Sequence, residues 1–116
     1  MGISVNAVTD ISSNTIQGAL WGVYLYAAGT ITSNHILNSV GSSSYGVYFE
    51  NSVTGATVKS NTITGSTVGI EFHCNANTVS GNTINGATIG LDAVPASFKG
   101  VNTFDNVATT TTSGGC

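Results

Sequence analysis

The sequence predicts an all-β chain wound into a coil of parallel strands about five turns tall, and three observations predict it. The composition is that of strands and turns: 15 glycines, a single proline, abundant Ser, Thr and Asn, and few helix formers in 116 residues. A phrase of glycine, aliphatic, any residue, apolar recurs as GVYL at 22–25, GVYF at 46–49, GIEF at 69–72 and GLDA at 90–93, with spacings of 24, 23 and 21 residues. Between these phrases lie short β-like runs, none with the i, i+3, i+4 spacing of an amphipathic helix. A unit of this size cannot bury its own apolar face, whereas stacked units share one continuous core. Crossover chirality makes the coil right-handed. The expected domain is a right-handed parallel β-helix over 1–107, followed by a flexible tail over 108–116.

Each unit supplies three strands. In the glycine-led strand, alternation turns the residue after glycine inward, which stacks Val23, Val47, Ile70 and Leu91, and two positions later Leu25, Phe49, Phe72 and Ala93. A second strand carries Ile11, Ile31, Val58 and Val79 three residues before an asparagine, and a third carries Ile16, Ile36, Ile63, Ile84 and Phe104 two residues after it. The asparagines themselves, Asn14, Asn34, Asn61, Asn82 and Asn102, fall in one column at a corner, where their amides can bond turn backbone and one another as a ladder. Gly22, Gly46, Gly69 and Gly90 are expected at corners with positive φ.

The phrases GVYF…VKSNTI and GIEF…VSGNTI resemble the right-handed parallel β-helix repeats of the pectin-lyase-like superfamily over roughly residues 2–107. The resemblance implies an asparagine ladder, an extracellular or cell-surface setting, and a polysaccharide or oligosaccharide partner. It does not choose an activity, because the superfamily holds lyases, hydrolases, epimerases, phage tailspikes, adhesins and non-catalytic modules. Its lyases use an Arg or Lys base beside bound Ca²⁺. This chain has no Arg, and Lys59 and Lys99 fall on another strand or a turn. The Asp-Pro-His-Glu signature of the related uronate epimerases is also absent.

Function concentrates on the outward positions of the glycine-led strand. One column there is Tyr24, Tyr48, Glu71 and Asp92, and the next is Tyr26, Glu50, His73 and Val94. Three of the five acidic residues and one of the two histidines share this face, while the remaining strands expose mostly Ser, Thr and Asn. Tyr24, Tyr26 and Tyr48 suit sugar rings, offering an apolar plane and a hydroxyl. Glu71, Asp92 and Glu50 are the candidate catalytic carboxylates, with His73 as orienting or proton-transferring group. Stacked neighbours lie about 5 Å apart and diagonal ones about 7–8 Å, which fits both retaining and inverting glycosidase geometry. Stacking Glu71 on Asp92 raises one carboxyl through like-charge repulsion. The three carboxylates also present an oxygen set of the kind Ca²⁺ takes. Insertions of GSSS at 41–44 and NSVTGA at 51–56 flank the Tyr48 strand and are expected to wall a shallow groove.

The same residues equally fit a solvated face of a structural or adhesive solenoid whose strand edges pair end to end with another copy. Threonine columns on the other strands suggest ice binding, but Asp10, Lys59 and His35 interrupt or border them. A net charge of −3 with two Lys and no Arg argues against nucleic-acid binding and gives a membrane surface nothing basic. No apolar run approaches a membrane span, and the opening MGISVNAVTD has no secretory signal pattern. Cys74 is expected to pack as a small apolar residue and Cys116 to end the tail, with a bridge between them the alternative.

Overall fold

Every turn of the chain lays down strands in the same rotational order, and each strand hydrogen-bonds in parallel to its equivalent one turn away. The computed structural model describes residues 1–37 and 42–116. Among these, a six-stranded sheet runs β1 (Ile3–Val5), β4 (Trp21–Leu25), β7 (Tyr45–Phe49), β10 (Val68–Glu71), β13 (Ile89–Asp92) and β15 (Thr109–Thr111). A second sheet holds β2 (Asp10–Ser12), β5 (Thr30–Thr32), β8 (Thr57–Lys59) and β11 (Thr78–Ser80). The third holds β3 (Thr15–Gln17), β6 (His35–Leu37), β9 (Thr62–Thr64), β12 (Thr83–Asn85) and β14 (Thr103–Asp105). The architecture is the expected solenoid of about five turns.

Like stacks on like along the interior. Val23, Val47, Ile70 and Leu91 are paired in register and buried, as are Ile31, Val58 and Val79 on the second sheet and Ile36, Ile63 and Ile84 on the third. Phe49 and Phe72 meet edge-on, and Phe98 continues the row against Phe72. One inward assignment is corrected. Ala93 has φ 52° and is half-buried, and this left-handed residue ends the alternation so that Val94, expected outside, enters the core.

The corner between the second and third sheets follows from the asparagine column. Asn34, Asn61 and Asn82 are buried, and each side-chain oxygen accepts both the main-chain and side-chain N–H of the asparagine one turn below. Each amide nitrogen also donates to main-chain carbonyls, as Asn61 does to Ile31 at 2.9 Å and Lys59 at 3.1 Å. The left-handed turn residue is the one before: Ser13, Ser33 and Ser60 have φ of 55–59°, and Gly81 has 66°. A short polar side chain tolerates that conformation and leaves the asparagine free to bond.

The glycines of the recurring phrase have a different role from the positive-φ corners expected of them. Gly22, Gly46, Gly69 and Gly90 are not among the positive-φ residues and lie within strands. A Cβ on Gly46 would lie 2.4 Å from Ile63 Cγ2 and 2.7 Å from the Gly69 carbonyl oxygen. The first and third sheets touch along this row, and only hydrogen fits.

Two further expectations are corrected. The segment 51–56 does not wall a groove: Val53 and Ala56 are buried in the core, and Asn77 of the next turn bonds Ala56 N and Val53 O. On the other flank Ser44 is buried and takes the Thr67 N–H at 3.0 Å, while Gly41 lies outside the described residues. The C-terminal segment is not a loose tail. Thr109–Thr111 pairs with β13, Thr112 exchanges main-chain bonds with Leu91 and Val94, and Cys116 is disulfide-bonded to Cys74 with Cα atoms 5.5 Å apart. The bridge held as an alternative is therefore the arrangement present.

Candidate functional site

The outward face of the six-stranded sheet is built by register. Tyr24 pairs with Tyr48, Tyr48 with Glu71, and Glu71 with Asp92, so the four predicted residues form one column across β4, β7, β10 and β13. Tyr26, Glu50 and His73 follow just beyond the strand ends. His73 and Cys74 both have positive φ, 50° and 63°, which bends the chain away from the sheet after buried Phe72.

A contiguous aromatic surface results. Tyr26 stacks on Tyr24 at 4.4 Å between ring centroids, and Tyr24 lies against Tyr48 at 4.8 Å. His73 meets Tyr48 edge-on at 4.9 Å. Two members were not foreseen. Trp21, the one tryptophan, meets Tyr24 edge-on at 5.2 Å, and Tyr45 meets Tyr48 edge-on at 4.9 Å. Strict alternation from Val23 would point both inward, but the glycine after each resets the alternation and turns them out. The visible signal was the series Trp21, Tyr45, Val68 and Ile89, a large residue before every glycine. All four tyrosines and the tryptophan thus share one face. Tyr26 is the most open of them, 46% exposed.

The acidic groups divide between two ends of this surface. The Tyr24 hydroxyl donates a hydrogen bond to Glu50 Oε2, and this bond holds the Glu50 carboxyl below the usual carboxylate range while pushing the Tyr24 phenol above its own. Burial followed by the neighbouring carboxylates raises Tyr45 and Tyr48. Glu71 is 6% exposed, and its Oε1 accepts the His73 main-chain N–H at 3.2 Å. His73 Nδ1 stands 3.6 Å from the same oxygen, close enough for an ion pair when the imidazole is protonated and the carboxyl ionised. Burial, reinforced by Asp92 against the lowering effect of the His73 N–H, raises Glu71 from 4.5 to about 7. The like-charge stacking therefore acts on Glu71, with desolvation as the larger cause. Asp92 Oδ1 accepts the Ala93 N–H at 2.9 Å and the Thr112 hydroxyl, so the last turn braces this end.

The Ca²⁺ arrangement does not fit. Glu50 is bonded to Tyr24, and among the described residues no group of three His, Cys, Asp or Glu side chains is placed to hold a metal ion. Calcium takes six to eight oxygens, and no such cluster is assembled on this face.

Glu71 leaves a measurable mark on stability. Below pH 4.5 it is protonated in folded and unfolded chains alike. Between 4.5 and about 7 the folded protein keeps a proton that the unfolded chain releases, so stability falls as pH rises through this window. The full loss above it is about 3 kcal/mol for a carboxyl raised from 4.5 to about 7. Urea unfolding of wild type and Glu71→Gln at pH 4 and pH 8 should show the difference between them shifting by that amount, in favour of the variant at pH 8. An unchanged difference would place Glu71 in a wetter setting than its burial indicates.

Residues 1–116 match the model of a family described as right handed beta helix region. Neither a curated protein nor a solved structure matches the chain.

Proposed function

The chain belongs to the right-handed β-helix family, and we propose that on this scaffold it is a carbohydrate-binding module that holds a polysaccharide along the aromatic face of the six-stranded sheet. The observation that carries this reading is the continuity of Trp21, Tyr26, Tyr45 and Tyr48 on one rigid surface, packed over Tyr24, which is itself buried at 8% exposure. Aromatic side chains left on a sheet surface offer flat apolar area at low conformational cost, and sugar rings have a matching C–H face. The surface is shallow, which suits a polymer lying across successive strands better than a small molecule that needs enclosure. The phrase-level resemblance to the pectin-lyase-like superfamily supports the same partner class.

Affinity electrophoresis of the full chain in gels containing soluble polysaccharides tests the reading. Retardation by at least one polymer is expected, with about tenfold weaker binding in Tyr26→Ala, whose exposed ring can be removed without opening the core. Equal retardation of wild type and variant would remove this face from the interaction. A second reading, hydrolysis, is favoured by one observation: Glu71 carries its proton near neutrality beside Asp92, as a general acid must. Release of reducing ends in the same gels, abolished in Glu71→Gln, would convert the binding module into an enzyme.

A further inference from the structure

We propose that the polysaccharide this face takes is one bearing free amino groups, a polyglucosamine-type chain, and not a polyuronate. The inference rests on the carbohydrate-binding reading above and adds the charge class of the ligand. The face carries the carboxyls of Glu50, Glu71 and Asp92, and its one titratable base, His73, lies 3.6 Å from Glu71. The chain has no Arg, Lys59 lies on β8 of the second sheet, and Lys99 lies in the segment after Pro95.

A polyuronate would bring one carboxylate per sugar against Glu50 and Asp92, with only His73, already held against Glu71 and Tyr48, to pair them, and like charges juxtaposed at an interface oppose binding. An ammonium group gains twice. It can sit over the open face of Tyr26, which is 46% exposed and stacked on Tyr24, as a cation–π contact. It can also pair with Glu50, the neighbour of that ring pair through Tyr24. The Tyr24 hydroxyl keeps Glu50 ionised into the acid range, where sugar amines are protonated. The two charges therefore coexist in one pH window.

The test uses the full chain at pH 5.5 with three probes of matched length: a glucosamine oligomer, its N-acetylated counterpart, and a polyuronate. Calorimetric titration should give about tenfold tighter binding of the amino oligomer than of the N-acetylated one, and no binding of the polyuronate. Glu50→Gln should lose that preference. Asp105→Asn, which makes the same change in net charge at an exposed site on the third sheet, should keep it. Equal loss in both variants would show attraction by bulk charge, no loss in either would show that Glu50 does not set the preference, and each would overturn the proposal. Equal or tighter binding of the N-acetylated or uronate probe would overturn it while leaving carbohydrate binding intact. Failure of all three probes would overturn the proposal, and carbohydrate binding would then stand or fall on the gel retardation alone.

Discussion

Replacing Asn61 with alanine is expected to lower the unfolding free energy by about 4 kcal/mol, as an uncompensated loss of buried hydrogen bonds requires. Asn61 is 1% exposed and stands in the middle of its column. Its oxygen accepts the Asn34 main-chain N–H at 2.9 Å and side-chain N–H at 3.0 Å, and its nitrogen donates to Ile31 O, Lys59 O and Asn82 Oδ1. Alanine cannot replace any of these, and the site is closed to water. The Asn34 N–H loses its acceptor and the Ile31 carbonyl loses a donor, each at about 1–3 kcal/mol. Asn14, at the exposed end of the same column, is the internal control. Its side-chain nitrogen donates to Ser12 O and Asn34 Oδ1 where water can substitute, so Asn14→Ala should cost about 1 kcal/mol. Urea denaturation of both variants measures the contrast, and similar small losses would mean that the column does not hold the corner.

Reduction of the Cys74–Cys116 disulfide is expected to cost up to about 4 kcal/mol, the chain-entropy value for a sequence separation of 42 residues. The effect is graded along the coil. The last turn is held by β15 on β13, by the Thr112 main chain on Leu91 and Val94, and by the Thr112 hydroxyl on Asp92. Without the bridge these contacts bear the segment alone, and its opening is local. Hydrogen exchange should therefore accelerate first at Thr109 and Thr112, whose N–H groups bond Thr88 O and Leu91 O, while Phe72 N–H, bonded to Asp92 O inside the coil, remains protected longer. Simultaneous loss at all three would mean that the coil opens as one unit.

The winding, the register and most of the core were legible because they repeat. Val23 over Val47 over Ile70, and Tyr24 over Tyr48 over Glu71, follow from one phrase copied at near-constant spacing and from strand alternation. What escaped was local. Trp21 and Tyr45 face outward because a glycine interrupts alternation, and no count of alternate residues registers an interruption. The left-handed residues at the ladder corner are Ser13, Ser33 and Ser60, hidden because serine is common in every turn of this chain. Val94 displaces Ala93 from the interior through a single backbone angle. The bridge between two distant cysteines leaves no spacing pattern, and the last strand, Thr109–Thr111, lies outside the recurring phrase. The extra residues 51–56 looked like surface decoration, and four of them are exposed, yet Val53 and Ala56 turn into the core.

The glycine row that brings two sheets into contact bears on how such a protein can grow. Because Gly46 and Gly69 are the same point in successive turns, residues 46–68 form a self-contained cassette whose two ends already match. Copying that cassette in frame would carry the pinch, the buried amide and the outward Tyr48 and Glu50 together. The proposed ligand track would lengthen by one row with no new steric problem to solve, so on that reading its reach is set by the number of copies rather than by redesign of any one.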